Sequence, residues 1–308
     1  MRRLLLPLML LLLLALPAGA QAAAARLAMA EQDATFFADP RFRELGIRDA
    51  RLVVSWDVIS SHWETEQVDI WMANARAAGV NPMVTFAHSR AVGRELYLPT
   101  VPEFRAAVRA FRARYPFVTD YQTWNEANHS TQPTRKSPKR AAKFYNVLRS
   151  ECPSCKVSAP AVLDGGSMLK WLKKFRKHTK RKPKVWSVHN YADANYNSKK
   201  FTKLLLKKTN GELWFTETGG IANRWVKGKQ DKRFSVKKQT KATKQVFKLA
   251  KLSKRVTRVY FYHWVSPVGA TPRWDSAFIG PDGLPRPAYE ILKKQAAKRK
   301  LPPLPALP

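Results

Sequence analysis

The sequence predicts an α/β chain folded as a (β/α)8 TIM barrel. Short apolar or β-branched runs alternate with amphipathic runs along most of the chain, which is typical of a parallel sheet covered by helices. The length of 308 residues suits eight such units, and a hydrophobic fraction of 45% supports a sizeable core. An open, doubly wound sheet is the alternative that the same alternation allows.

The predicted strands are runs of residues with high β propensity, and the first of them is the weakest. They cover residues 27–37, 50–56, 81–88, 118–124, 156–162, 184–191, 212–217 and 257–264.

Predicted helices separate the strands and are identified by apolar residues at helical spacing, such as Phe104, Val108 and Phe111. They cover residues 39–45, 66–78, 101–115, 138–149, 167–178, 199–208, 236–251 and 288–298.

The two ends of the chain differ in composition from the barrel. Arg2 and Arg3 precede an apolar run over residues 4–16 and a small-residue cleavage region, which is the pattern of a secretory signal. An uncleaved membrane anchor is the alternative, but the apolar run is short for a span. We therefore predict a signal peptide over residues 1–22, a catalytic domain over 23–298, and a secreted or extracytoplasmic location. Residues 299–308 form a proline-rich tail expected to be extended and outside the fold.

Cys152 and Cys155 are the two cysteines of the chain. Their C-x-x-C spacing could indicate redox chemistry or half of a metal site in a reduced protein. Because no second cysteine pair is present and export is predicted, a local structural disulfide is the preferred interpretation.

The formal net charge of +34 is unusual, and the bases concentrate in the second half of the chain, as in residues 170–184. Such a field attracts acidic polysaccharides or anionic polymers of the cell envelope, although it could also be a solvated surface without a specific partner. Specific nucleic-acid binding is not expected, because lysines dominate the runs and no known nucleic-acid module is present.

Two glutamates end predicted strands in a way that favours catalysis. Glu126 follows strand four in Trp124-Asn125-Glu126, and Glu217 ends strand seven. In a (β/α)8 barrel the C-terminal strand ends meet at one mouth, so these side chains should converge there. A pair of carboxyl groups facing each other across a sugar can cleave a glycosidic bond.

With these strand ends the chain resembles clan A of the glycoside hydrolases, which are retaining (β/α)8 enzymes. It is most similar to family 39 and related β-xylosidase-like proteins, with family 5 next. The resemblance extends over roughly residues 27–298. It implies that Glu126 is the acid/base and Glu217 the nucleophile.

The same resemblance implies roles for residues at other strand ends. Arg51 would hold the nucleophile carboxylate, and Tyr191, in the H-x-Y motif with His189, would contact it. Asn125 would bind a sugar 2-hydroxyl, and Trp264 would form the floor of the −1 subsite. His88 occupies the place of a strand-three histidine of several families. Tryptophans in or near probable loops suit stacking on sugar faces, and these are Trp56, Trp63, Trp225 and Trp274.

The predicted activity is that of an exported retaining glycoside hydrolase acting on a β-linked oligo- or polysaccharide. Glu217 would attack as a carboxylate, and Glu126 would be kept protonated by burial and by the neighbouring Glu217. A non-catalytic glycan-binding protein on a hydrolase scaffold and a transglycosylase are the alternatives. No cofactor or metal is expected, since the six histidines are scattered and form no metal-binding motif.

Overall fold

The computed structural model describes residues 24–266 and 273–305, and the predicted signal peptide lies outside these ranges. Eight parallel strands form a ring, and the order around it is β5-β4-β3-β2-β1-β8-β7-β6 and back to β5. Their bounds are Arg26–Ala30 (β1), Asp49–Ser55 (β2), Asn81–Ala87 (β3), Asp120–Gln122 (β4), Lys156–Ser158 with Ala161–Leu163 (β5), Val185–His189 (β6), Glu212–Thr218 (β7) and Val256–Tyr262 (β8). The predicted barrel is confirmed.

Strand β5 is interrupted at Pro160 and closes the ring with its two segments. The first segment pairs with β4 and the second with β6. A proline has no N–H to donate, so the ladder must break where it stands. Two backbone hydrogen bonds hold the residues on either side of Pro160. The Ala159 N–H donates to the carbonyl of Val185 at 2.9 Å, and the Ala161 N–H donates to the carbonyl of Trp124 at 2.9 Å. We call this stretch of β5 the seam of the barrel.

Helices surround the ring and cover its outer face. Their bounds are Pro40–Glu44 (α1), His62–Ala77 (α2), Val101–Arg114 (α3), Pro138–Glu151 (α4), Met168–Arg176 (α5), Tyr191–Asn195 (α6), Lys200–Lys208 (α7), Val236–Ala250 (α8) and Pro287–Ala297 (α9). Most follow the predicted ranges closely, because their apolar faces recur at helical spacing. The start of α3 is fixed by a capping box between Thr100 and Glu103.

The core has two layers, one between sheet and helices and one inside the ring. Inside the ring, Met83, Trp214 and Tyr260 pack together toward the N-terminal ends of the strands. Toward the C-terminal ends the interior becomes polar, with the side chains of Thr85 and Gln122 fully buried. The polar interior therefore lies where a (β/α)8 barrel builds its site.

Four strands end two or more residues before the predicted position, and one of them is β4, which ends at Gln122 instead of Trp124. Strand β1 stops at Ala30, because Asp33 caps a 3₁₀ turn by accepting the Thr35 N–H at 2.9 Å. Strand β6 stops at His189, so Tyr191 opens helix α6 instead of ending a strand. Strand β8 stops at Tyr262 and leaves Trp264 beyond it.

The prediction that the C-terminal tail lies outside the fold is wrong for residues 301–305. Residues 301–305 have no regular secondary structure, but Leu304 is 4% exposed and belongs to the main apolar core. Its N–H donates to Arg43 at 3.0 Å, and Arg43 Nε donates to the carbonyl of Pro305 at 3.1 Å. Burial of one leucine and these hydrogen bonds hold the tail against α1.

Cys152 and Cys155 form the predicted disulfide, at the junction between α4 and β5. Among residues 24–266 and 273–305, none of the helices combines the length and apolarity that a membrane span requires.

Candidate active site

Glu126 lies just beyond β4 with a backbone φ of 41°, which is uncommon for a residue other than glycine. Two hydrogen bonds hold this conformation. The Ala127 N–H donates to Ala161 at 2.8 Å across the seam, and the His129 N–H donates to the Glu126 carbonyl at 2.7 Å. Strained backbone that its surroundings fix in this way is found most often at functional sites.

Glu217 lies in β7 and receives hydrogen bonds on both carboxylate oxygens. Arg51 Nη1 donates to Oε2 at 2.9 Å, and the Tyr191 hydroxyl donates to Oε1 at 3.1 Å. A guanidinium and a hydroxyl proton both stabilise a negative charge on the carboxylate. The contacts expected for Arg51 and Tyr191 are present.

Arg51 is 1% exposed and uses its whole guanidinium. Besides Glu217, it donates through Nη2 to Asn125 Oδ1 at 2.7 Å. Its Nε lies 3.0 Å from Thr85 Oγ1 and 3.1 Å from Gln122 Oε1. Because the guanidinium is planar and rigid, these contacts fix the position of both Glu217 and Asn125.

His189 is fully buried between the two glutamates, with Nδ1 at 3.0 Å from Glu126 Oε1 and 3.7 Å from Glu217 Oε2. Burial lowers the pKa of His189 to about 3, so the ring is neutral. Its Nε2 lies 3.5 Å from Arg51 Nη2, which can only donate. The proton is therefore assigned to Nδ1, which donates to Glu126.

The carboxyl groups of Glu126 and Glu217 lie close together, since ligand atoms of these residues and His189 are all within 4.8 Å of one another. Burial raises the pKa of Glu126 above its ordinary value, although the charges of His129 and Arg51 oppose the shift.

Glu126, His189 and Glu217 have the spacing of metal ligands. The guanidinium of Arg51 is already bonded to Glu217, and its charge would repel a bound cation.

Both glutamates line two adjoining cavities at the barrel mouth. The larger, of about 1060 Å³, extends over the ends of β6 and β7 and is lined by Tyr191, Trp225 and Trp274 among others. The smaller, of about 220 Å³, lies over β1 and β2 and is lined by Arg51 and Asn125. The two carboxyl groups thus stand where a chain of sugars could extend to either side.

Trp264 was predicted to floor the sugar subsite, and this prediction is wrong. Its side chain is 1% exposed, packs against Phe42 and Tyr289, and donates from Nε1 to Asp39 at 2.8 Å. The strand-eight residue that lines both cavities is Tyr262. The cause is the end of β8 at Tyr262, after which the chain carries Trp264 into the outer core.

Two further predicted site residues lie away from the glutamates. Trp56 is 6% exposed, near the Tyr97 ring, and lines a separate cavity of about 580 Å³. His88 Nδ1 lies 2.9 Å from Gln132 Nε2, and Gln132 in turn accepts from Trp124 Nε1 at 3.0 Å. Neither Trp56 nor His88 lines the two cavities that contain Glu126 and Glu217.

Several residues at the mouth were not predicted from the sequence. Gln122 Nε2 donates to Thr216 at 2.8 Å and so ties β4 to β7 beneath the glutamates. Asp164 lines the larger cavity and accepts the N–H groups of Ala192 and Asp193, and burial raises its pKa to about 7. The available signal for Gln122 and Thr216 was a polar side chain near the C-terminal end of a predicted strand. The loop residues gave none.

The fold and the converging glutamates define a barrel of the clan A glycoside hydrolase class. The chain belongs to the glycosyl hydrolase catalytic core family, whose model matches residues 109–287. That segment contains Glu126 and Glu217, and membership places the protein among the glycosidases. No curated protein matches the sequence.

Solved structures with the same fold come from several glycosidase families. A family 39 glycoside hydrolase from Bacteroides cellulosilyticus is 14% identical with a TM-score of 0.58, covering 89% of this chain and 64% of that one. A family 5, subfamily 18 protein from Streptomyces cattleya is 13% identical with a TM-score of 0.65, covering 92% of this chain and 83% of that one. A β-glucuronidase from Bacteroides uniformis is 13% identical with a TM-score of 0.61, covering 90% of this chain and 36% of that one. The resemblance to families 39 and 5 is confirmed at the level of the clan.

Proposed function

We propose that this protein is an exported, retaining glycosidase that acts on a β-linked glycan, with Glu126 as acid/base and Glu217 as nucleophile. The observation that carries the proposal is the different surroundings of two neighbouring carboxyl groups. Glu217 receives hydrogen bonds from Arg51 and Tyr191, whereas burial raises the pKa of Glu126. Two neighbouring carboxyl groups in such different surroundings can take the two roles that double displacement needs.

In the first half-reaction, an oxygen of Glu217 attacks the anomeric carbon and forms an ester with the sugar. The glycosidic C–O bond breaks, and the leaving oxygen takes the proton of Glu126. Because His189 donates to Oε1 of Glu126, the acidic proton is left to Oε2. Arg51 and Tyr191 hold the attacking carboxylate in place while its charge is lost.

In the second half-reaction, Glu126 is an anion and removes a proton from water. The water oxygen bonds to the anomeric carbon, and the ester bond to Glu217 breaks. The short spacing of the carboxyl groups supports this route, because an inverting enzyme needs about 6.5–9.5 Å between them for water. The structurally similar Bacteroides uniformis β-glucuronidase is covalently bound to its aziridine ligand, which also supports a covalent intermediate.

The β linkage is supported by the Streptomyces cattleya protein, which is in complex with Manb1-4GlcNAc.

Export is supported by the N-terminal pattern and by the Cys152–Cys155 disulfide, since disulfides persist in oxidising compartments. Mass spectrometry of the protein released from its native host should find a new N-terminus after residue 20 or 22. An intact N-terminus on the extracellular protein would contradict cleavage.

The catalytic roles are tested with a panel of aryl β-glycosides and polysaccharides. We expect Glu217→Ala to abolish turnover, with partial rescue by azide that yields a glycosyl azide of inverted configuration. Glu126→Ala should keep a measurable burst with activated aryl substrates, because their leaving groups need no proton. Glu66→Ala, a change to an exposed glutamate of α2, is the matched control. Wild-type rates in both Glu126 and Glu217 variants would refute the assignment, and binding without turnover by the wild type would favour a glycan-binding protein.

A further inference from the structure

The larger catalytic cavity has one wall rich in cations. Arg224, Lys227 and Arg273 line it beside the indoles of Trp225 and Trp274. The Arg224 guanidinium lies 5.6 Å from the centre of the Trp274 ring and forms no salt bridge within the described ranges. The two acidic residues nearest in sequence have other partners, since Asp231 is paired with Arg233 and Glu217 with Arg51. The positive charge of Arg224 is thus available to a ligand in the cavity.

A second cationic groove, of about 700 Å³, runs along α8. Lys238, Lys241, Lys244 and Lys248 lie on one face of that helix, spaced three or four residues apart, and we call them the α8 lysine row. All four are exposed. In the described ranges the lysines that form salt bridges are Lys156 and Lys293, so the row has no carboxylate partner there.

The groove adjoins the catalytic cavity, because the two share lining residues. Asn195 and Tyr196 line both of them, and the Tyr196 ring is 55% exposed at the junction. A ligand that leaves the cavity past Tyr196 therefore meets the α8 lysine row. Cations line both the cavity and the groove, and the aromatic rings are those of the cavity wall and Tyr196. This combination suits sugar rings that carry negative groups.

We propose that the substrate is a polysaccharide with repeated anionic groups, either uronate carboxylates or sulfate esters, that enters the catalytic cavity along the α8 lysine row. This inference rests on the proposed glycosidase function and adds the class of its substrate. Arg224 neutralises the anionic group of a sugar next to the glutamates. The row attracts and holds the part of the polymer outside the cavity.

The test compares two variants with the same loss of charge. One replaces the four lysines of the row by glutamine. The other replaces Lys173, Lys177, Lys182 and Lys208 by glutamine, which line a separate groove of about 580 Å³ on the side of α5 and α7. Both carry Glu217→Ala, so that binding is measured by calorimetry without turnover. The probes are a uronate polymer, a sulfated polysaccharide, a neutral polysaccharide and an anionic disaccharide.

We expect the row variant to bind one anionic polymer about tenfold or more weakly than the control variant does, with a much smaller change for the disaccharide. The difference should decrease as salt rises from 50 to about 300 mM, because exposed charges are screened. Arg224→Gln should weaken the disaccharide as well. The preferred polymer decides between uronate and sulfate.

Equal affinities of the two quadruple variants, or tighter binding of the neutral polysaccharide, would overturn the inference. The outcome is separable from that of the proposed function. Glycan binding that depends on the row, with no turnover by the wild type on any substrate, defeats only the glycosidase proposal. Turnover of neutral glycans that is insensitive to the row and to Arg224 defeats only the substrate class.

Discussion

Arg51 and Glu217 form an ion pair of 2.9 Å inside the barrel mouth, in which the arginine side chain is 1% exposed and the glutamate 14%. Through this pair, Arg51 connects Glu217, the proposed nucleophile, to the polar interior of the barrel. Its geometry depends on the guanidinium fork, because the same group also contacts Asn125, Thr85 and Gln122.

Arg51→Lys keeps the positive charge but loses the planar set of N–H donors of the guanidinium. We expect kcat to fall on the order of 10²-fold, because an ammonium cannot hold Glu217 and Asn125 at once. Arg258→Lys is the matched control, since Arg258 is a buried barrel arginine paired with Asp120 at the opposite end of the strands. It should lower stability and leave kcat of the folded enzyme unchanged. Equal kcat values for Arg51→Lys and wild type would contradict the role of the fork.

The pH dependence should report the protonation of Glu126. Turnover needs its acid form, which exists below its pKa, so kcat/KM should fall as pH rises through that pKa. Burial raises this pKa, and the descending limb should therefore lie above the ordinary range of a glutamate. A pH–rate profile of an aryl glycoside with a poor leaving group measures the limb. In Glu126→Gln the residual rate should lack it, and a limb that survives unchanged would assign the titration to another group.

Tyr191→Phe removes the hydroxyl that donates to Glu217 Oε1. We expect the formation of the glycosyl-enzyme to slow by about tenfold or more, because a preorganised donor beside the reacting group is lost. Pre-steady-state kinetics with an activated aryl glycoside measures this step. Tyr145→Phe, a buried change on α4, is the control and should leave the step unaltered.

Replacing Trp264 and replacing Trp274 should have opposite effects on stability and on substrate binding. Trp264→Ala should lower the free energy of unfolding by about 3–5 kcal/mol, because it removes a fully buried indole. Trp274→Ala should change stability less and raise KM, since this ring lines the larger cavity. Urea unfolding and substrate titration of both variants distinguish the roles. A stable Trp264→Ala with a raised KM would restore the earlier prediction for Trp264.

The Cys152–Cys155 disulfide closes a very short loop. The chain-entropy argument then limits its stabilisation to about 2 kcal/mol. The double change to serine should lower the free energy of unfolding by no more than this and leave kcat unchanged. A much larger loss would mean that the disulfide also fixes β5, which begins directly after Cys155.

The order of the elements and the two glutamates were predictable from the sequence, for a physical reason. Strands and helices of a barrel repeat with a strong apolar period, and strand ends converge by topology alone. Arg51 and Tyr191 were predicted through the resemblance to clan A, because Arg51 is the third residue of β2 and Tyr191 lies beyond the end of β6. The order of strands and helices can be predicted from this alternation without knowing how the loops fold.

Trp264 and the cationic wall were not predictable, because both depend on where a strand ends and how the next loop folds. Tyr262 and Trp264 lie two residues apart, and sequence alone does not decide which of them is the last to face the mouth. Arg224 and Trp274 come together through an antiparallel pairing between residues 223–226 and 274–275. Contacts between loops so distant in sequence leave no local pattern.

The seam at Pro160 gives the carboxyl groups of Glu126 and Glu217 unequal supports. Glu217 belongs to a seven-residue strand that is paired on both sides. Glu126 is instead attached to β5 through its two following residues. The Ala127 N–H donates to the carbonyl of Ala161, and the side-chain amide of Asn128 forms two hydrogen bonds with the backbone of Leu163. The proposed nucleophile is therefore held by a continuous strand, whereas the proposed proton donor is held by contacts to an interrupted one. In the proposed mechanism, the glutamate that serves first a leaving oxygen and then a water molecule is thus the one beside the interruption of the ring.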